Sequence, residues 1–283
     1  MRKLLTLVLS CLFFLTSCKN DIELKVISFN IRYDTERDGN NAWPGRKELA
    51  LQFLEDQAPD IFGLQEALWH QYSYIDSCLT GYASVGAGRD DGDRKGEMNP
   101  VFYKKDRFEL LVSNTFWLSE TPGIPGSKGW GAALPRIVTW VKLKEKKSGK
   151  ELFYFNTHFS HMSDSARVMS ARILREQVYD IAGESNFVVS GDFNMLPESE
   201  AYAALTAGEA NPVSDCYLIS ETGPEGVEYT FNGFKDAPGS GRIDYIFTRP
   251  GSKVHSFRIH SVKNDGIFIS DHWPVESLIS LKF

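Results

Sequence analysis

Cysteine is scarce in this chain. It occurs at four of 283 positions, and Cys11 and Cys18 fall within the first eighteen residues. The remaining pair, Cys78 and Cys216, allows one disulfide or none, which excludes a disulfide-framed scaffold. No two cysteines stand at zinc-finger spacing. A basic excess is missing too: 31 Lys and Arg face 37 Asp and Glu, a formal charge of −6. Such a chain lacks the broad cationic stripe that drives sequence-independent nucleic-acid binding, which counts against wrapping long DNA. Cutting DNA is not excluded, because a bound divalent cation supplies positive charge locally. Beyond the N-terminus there is no apolar run long enough to span a bilayer, no internal repeat and no low-complexity tract.

The N-terminus itself reads as a leader. Arg2 and Lys3 precede an apolar run of 12 residues, 4–15, which is too short to span a bilayer and fits a signal peptide. It ends in Leu15-Thr16-Ser17-Cys18, which resembles the lipobox of bacterial lipoproteins. That resemblance implies cleavage before Cys18, lipidation of its thiol, and an exported protein anchored to a membrane, in the periplasm or at the cell surface. Residues 1–17 are then the signal peptide and 18–22 a tether, and removing Arg2 and Lys3 moves the formal charge from −6 to −8. Residues 23–283 suit one large domain with a substantial core, expected as a monomer. The Pro/Gly-rich stretch 121–131 has strand-like runs on both sides, so a long surface loop is expected there.

Along the domain, residues 24–31 alternate and then run apolar, as a central strand does, with Asn30 near its end. Pro44 opens a helix whose apolar face is Leu49, Ala50, Phe53 and Leu54, and Pro59 closes it. Residues 60–66 read as a strand ending in Glu66, and 68–79 as a short helix. Three antiparallel-looking strands follow at 101–103, 108–118 and 136–143. Then come a strand at 152–159, a clear helix at 163–182 with Gly183 past its end, and a strand at 187–192. A short helix near 199–206 and strands at 242–247 and 273–283 complete the pattern. Sheet and helix alternate at both ends around an antiparallel middle, which suggests two packed sheets flanked by helices.

The chemistry centres on Gly191-Asp192-Phe193-Asn194. A carboxylate and an amide at spacing two lie on one side of an extended chain, where they can activate a water and grip a phosphate oxygen. The same tetrapeptide also makes an ordinary Asx turn. Other polar residues interrupt strands in the same way: Asn30, Glu66, His158 and Asp244 all sit at or near a strand end, where open sheets place ligand sites.

Six segments stand together: Ser28-Phe29-Asn30-Ile31, Leu64-Gln65-Glu66, Asn156-Thr157-His158, Gly191-Asp192-Phe193-Asn194, Arg242-Ile243-Asp244-Tyr245-Ile246 and Ser270-Asp271-His272. In this order and spacing the chain resembles the endonuclease/exonuclease/phosphatase (DNase I-like) superfamily, from about residue 24 to the C-terminus. The resemblance implies a four-layer α/β sandwich and a Mg²⁺- or Mn²⁺-dependent attack of water on phosphorus. Mg²⁺ wants oxygen ligands and keeps several waters, so one or two carboxylates suffice: Glu66 first, with Asn30 beside it and Asp271 contributing. The resemblance pairs Asp244 with His272, and His272 and Asp192 share the activation of water. Asn194 would hold a phosphate oxygen or the water through its amide. His158 matches a second histidine of DNase-type members, where it contacts the phosphate and helps the leaving group, and Glu97 falls where a glutamate orients that histidine. One departure stands out. Apurinic endonucleases carry an aspartate two residues after the first motif's asparagine; this chain has Arg32, which removes a potential metal ligand and adds a cation that could meet a second phosphate.

The wording of the first motif and of Trp43-Pro44-Gly45-Arg46 looks most like secreted bacterial members near the nocturnin-type branch. An exported lipoprotein meets extracellular nucleic acid, phospholipid headgroups and phosphorylated glycans or inositols. Trp117, Trp130 and Trp140 read either as core or as a sugar-stacking wall. Arg136, after Pro135, is a candidate phosphate clamp, while His161 reads as a loop residue. The acidic charge and the leader favour a phosphatase or phosphodiesterase acting on small or glycan-borne phosphoesters. A secreted nuclease is the alternative, and a non-catalytic binding lipoprotein a remote one.

Overall fold

The computed structural model describes residues 21–208, 210–237, 239 and 241–283. The signal peptide, Cys18 and most of the tether lie outside the described residues. Ile22, assigned to the tether from sequence, already belongs to the first strand. In chain order the elements are β1 (Ile22–Asn30), a 3-10 turn (Glu36–Asn41), α1 (Trp43–Gln57), β2 (Ile61–Gln65), α2 (Trp69–Cys78), β3 (Tyr82–Val85), β4 (Val101–Lys104), β5 (Phe108–Trp117), β6 (Ile137–Glu145) and β7 (Glu151–His158). There follow α3 (Asp164–Ala182), β8 (Asn186–Asp192), α4 (Glu200–Thr206), β9 (Ser214–Asp215), α5 (Cys216–Ile219), β10 (Pro224–Gly226), β11 (Asp244–Thr248), β12 (Lys253–Ile259), β13 (Lys263–Asn264), β14 (Ile267–Phe268) and β15 (Val275–Leu281).

Two sheets stack face to face. One runs β10-β12-β15-β1-β2-β4-β3 and the other β5-β6-β7-β8-β11-β9. Each is mixed, because β1–β2, β7–β8 and β10–β12 pair in parallel while the other pairs are antiparallel. β1 alternates buried and wetter positions over its first residues and is then buried throughout, as a strand does when both faces become covered. On the outer face of the first sheet, Ala50, Phe53 and Leu54 of α1 join the core, with the Phe29 and Phe53 rings edge to face at 5.9 Å. Behind the second sheet, α3 buries Ala171, Leu174 and Val178 against Phe155, Phe187 and Val189. Ser163 caps α3 by accepting the Ala166 N–H, and Gly183 (φ 54°) ends it in a conformation that disfavours a side chain. The result is the α/β sandwich that the sequence pattern suggests.

Asn156 ties the two sheets together. Its Nδ2 donates to the Leu64 and Pro100 carbonyls at 2.7 and 2.9 Å, and its Oδ1 accepts from Gln65 Nε2 at 2.7 Å. Tyr154 adds a second link, its hydroxyl donating across to the Ile27 carbonyl at 3.3 Å while meeting Ser190 of its own sheet at 2.6 Å. Buried polar groups bonded this way fix register as well as adding stability.

β12 has no counterpart in the sequence reading. Its register against β15 shifts between Val254 and Ser256, so the period-two alternation that marks a strand is broken in its middle. Cys78 and Cys216 are both free thiols, the first half-buried and the second buried.

Candidate active site

The parallel pairs bring their C-terminal ends to one edge of the sandwich. Asn30 ends β1, Glu66 follows β2, His158 ends β7 and Asp192 ends β8, while antiparallel β11 enters at Asp244. Glu66, His158 and Asp192 line a cleft of about 890 Å³, with Asn30 and Asp244 bonded behind them to Asp192 and His272. Four of the eight non-glycine residues with positive φ among the described residues line it: Arg32, Glu66, Asn194 and Phe234. Such backbone costs of order 1 kcal/mol per residue and collects where geometry matters more than stability.

Asn30 stands at the centre. Its Nδ2 donates to Glu66 Oε1 at 3.1 Å and to Asp192 Oδ2 at 3.0 Å, and its Oδ1 accepts the Arg32 N–H at 2.9 Å. Glu66 Oε2 accepts the Tyr33 N–H at 3.1 Å. Arg32 is clamped by Asp38 (3.0 and 3.2 Å) and lies 3.8 Å from Glu66 and 3.7 Å from Asp271. Fully buried Arg46 holds this corner by donating to the carbonyls of Asn41, Ile31, Arg32 and Ile269. It thereby links the end of β1 to the loop that carries Asp271 and His272.

His272 Nδ1 lies 2.9 Å from Asp244 Oδ2, and its Nε2 is 3.7 Å from Asp192 Oδ2. Phe231 packs edge-on against the imidazole at 5.1 Å. Asp192 Oδ1 accepts the Asn194 N–H at 2.9 Å, so the tetrapeptide forms an Asx turn and faces the cleft at once. The Asn194 amide donates to the Phe159 carbonyl at 3.1 Å.

The other wing is built from His158, Glu97, Arg89, Arg136 and His161. His158 Nε2 lies 3.4 Å from Asp192, and its Nδ1 is 3.8 Å from Glu97, too far for a hydrogen bond. Glu97 instead pairs with Arg89 at 2.5 Å. Arg136 NH2 meets His161 Nδ1 at 3.0 Å.

Charge is unevenly compensated here. Burial, with Asp244 nearby, pushes the Asp192 carboxyl up to about 7. Burial and the Glu66 charge raise both Glu97 and Asp271. Burial opposes the charge on His272, but Asp244 and Asp192 outweigh it and hold the imidazole well above its usual range. His158 goes the other way: burial and the Arg136 and Arg89 cations drive it well below. One imidazole is thus held charged and its neighbour neutral.

A sequence profile described as the Endonuclease/Exonuclease/phosphatase family matches residues 27–272. The chain belongs to this family. A family protein from Bacteroides vulgatus is 40% identical, with a TM-score of 0.88 over 92% of this chain and 100% of that one. A mannosyl-6-phosphatase from Bacteroides thetaiotaomicron is 33% identical, with a TM-score of 0.84 over 90% of this chain and 99% of that one. The human nocturnin catalytic domain shares the fold, at 21% identity and a TM-score of 0.73 over 91% of this chain and 93% of that one.

Family members are hydrolases of phosphoesters that use divalent metals, and the donors in this cleft fit such an ion. Glu66 and Asp192 each place a carboxylate oxygen, with a His158 nitrogen, within 4.8 Å of one another. Burial and neighbouring carboxylates raise Asp192, Glu97 and Asp271, a crowding that a cation would relieve, and no sulfur donor lines the cleft. Asp192, Asp244 and His272 form a second close group, in which Asp244 already engages His272 Nδ1 at 2.9 Å.

All eleven candidate residues from 30 to 272 gather at this edge. Asn30 turns its NH2, not its oxygen, toward the two carboxylates. Glu97 sits beside His158 without bonding it. The tryptophans do not form the wall: Trp117 is buried and donates to the Arg89 carbonyl at 2.7 Å, Trp140 packs on Phe153 and Phe155, and Trp130 lies outside the lining. Leu134, Leu196, Phe231, Phe234 and Ile243 supply the apolar lining instead. His161, Asp38 and Arg46 join the site without standing among the sequence candidates, and the Trp43-Pro44-Gly45-Arg46 stretch is the one sequence signal near them.

Proposed function

We infer that this protein is an exported, Mg²⁺- or Mn²⁺-dependent phosphatase or phosphodiesterase for small or glycan-borne phosphoesters, anchored through Cys18. One observation carries the substrate class. Among the described residues, the cleft wall offers two guanidinium groups, Arg32 and Arg136, and no lysine, against Asp38, Glu66, Glu97, Asp192 and Asp271. A polynucleotide track needs a continuous cationic groove with stacking platforms. A single phosphoryl group needs one cationic pocket. The likeness to a mannosyl-6-phosphatase at 33% identity supports the same reading.

Glu66 and Asp271 would hold the metal, which when bound polarises a phosphoryl oxygen and offsets the carboxylate charge. The remaining work falls to the chain. Asp192, poised by burial near neutrality, accepts the proton of the attacking water. Asp244 keeps His272 charged, so that Nε2–H faces the negative charge that grows on phosphorus. Asn194, pinned by Phe159, donates its remaining amide hydrogen to a phosphate oxygen. Phe231 and Phe234 give the organic part of the ester an apolar wall.

The test is a Mg²⁺/Mn²⁺-dependent hydrolysis screen over aryl phosphate, aryl diester, mannose 6-phosphate, sphingomyelin, DNA and poly(A), with His272→Ala as the blank. Turnover confined to small or sugar-borne esters is the expected result. Efficient polynucleotide cleavage overturns the reading in favour of a nuclease.

A further inference from the structure

Arg136 is a buried cation with unused donors. Its side chain lines the cleft although the residue is only 4% exposed, and neither Nε nor NH1 has a partner among the described residues. Leaving such donors unpaired is costly, the more so when they are charged, so their persistence marks a place kept for an acceptor. The one side-chain bond it makes, NH2 to His161 Nδ1 at 3.0 Å, fixes the partner's chemistry. A guanidinium cannot accept, so His161 Nδ1 is the acceptor and the proton sits on Nε2. Burial and the Arg136 charge lower the basicity of His161, which agrees with a neutral ring.

Register places this pair within the site. Across the second sheet Asp244 faces Asp192 and Asp192 faces His158, while Thr157 faces Val138, two residues after Arg136. The cleft edge therefore runs Asp244, Asp192, His158 over three adjacent strands, and on the fourth Ile137 faces His158, so Arg136, the residue before β6, stands one step beyond that row. His272 stands at the Asp244 end and His161 at the Arg136 end.

We propose that Arg136, oriented by His161, is the leaving-group residue and makes the enzyme selective for alkyl phosphates such as sugar phosphates. This rests on the water-activating role given above to Asp192 and His272. Water attacks phosphorus from their end, and an in-line displacement puts the departing oxygen at the other. The water oxygen bonds to phosphorus, its proton goes to Asp192, and the P–O bond to the sugar breaks. The electron pair passes to the sugar oxygen, whose charge meets the free Arg136 donors before it takes a proton from solvent. A strongly basic alkoxide needs this cation, whereas a weakly basic aryloxide leaves without it.

The test compares kcat/KM for a hexose 6-phosphate and for p-nitrophenyl phosphate in wild type, Arg136→Met, Arg136→Lys and His161→Ala. Arg136→Met is expected to lose about 10²-fold or more on the hexose ester and under tenfold on the aryl ester, as for removal of a charge-stabilising donor. Arg136→Lys should restore part of the alkyl activity alone. His161 is solvent-facing, so His161→Ala keeps the test open if the buried variants do not fold; it should show the same selectivity at smaller size. Equal losses on both esters, or none, overturn the proposal. A wild type inactive on both monoesters overturns the functional reading instead, and the same comparison on an aryl and an alkyl diester then judges Arg136 separately.

Discussion

Gly63 and Asn156 should behave as one unit when substituted. A Cβ on Gly63 would lie 2.4 Å from Asn156 Cγ and 2.5 Å from its Oδ1, closer than any real contact. Asn156 cannot step aside freely, because three bonds of 2.7–2.9 Å hold it to Leu64, Pro100 and Gln65. At about 1 kcal/mol net per bond, Asn156→Ala should cost about 3 kcal/mol. Gly63→Ala should cost nearly as much, since it either displaces that amide or strains the strand by about 1–3 kcal/mol. Once Asn156 is alanine the new methyl group meets empty space, so the second substitution should add less than about 1 kcal/mol. The coupling energy is therefore about 2 kcal/mol. Urea unfolding of the four proteins, followed by circular dichroism and by tryptophan fluorescence, measures it. Costs that add to within about 0.5 kcal/mol would show that the two sheets are not locked through this contact.

Other perturbations probe the site and its frame. Glu66→Ala should abolish turnover and divalent-cation binding by calorimetry together; unchanged turnover would remove Glu66 from the metal site. His272→Ala should lower kcat by more than about 10²-fold, and a loss below tenfold would take it out of the chemistry. Asp60 gives a pH signature far from the cleft. Burial opposes its ionisation, but the Lys25 N–H, Arg107 and Lys104 outweigh it and depress its carboxyl. A depressed carboxyl stabilises the fold above its unfolded value near 4, and that contribution fades as pH falls through the lower folded value. Asp60→Asn should thus be less stable than wild type by about 1–2 kcal/mol at pH 7, with the gap closing toward pH 3. A gap independent of pH would contradict the ion-pair account.

Much of this architecture was legible in the sequence because its signals are local. Apolar alternation followed by continuous burial marks β1, and the Ser163 cap, the 3.6-residue stripe and Gly183 mark α3. The polar residues at strand ends named the catalytic edge, since a carboxylate or imidazole that closes an apolar strand has few structural uses. Tertiary structure decided the rest, through register and approach across distant segments. The bulge hid β12, because period two fails when one residue is inserted. Nothing near Glu97 reveals that Arg89, and not His158, takes its carboxylate. The residues that wall the cleft come from loops whose meeting depends on the stacking of two sheets, which is why Trp117 and Trp140 pack within the fold while Phe231 and Phe234 line the cleft. Arg136 carries the same lesson: its residue type suggests an anion, but only the burial of Nε and NH1 without a partner among the described residues points to donors waiting for one.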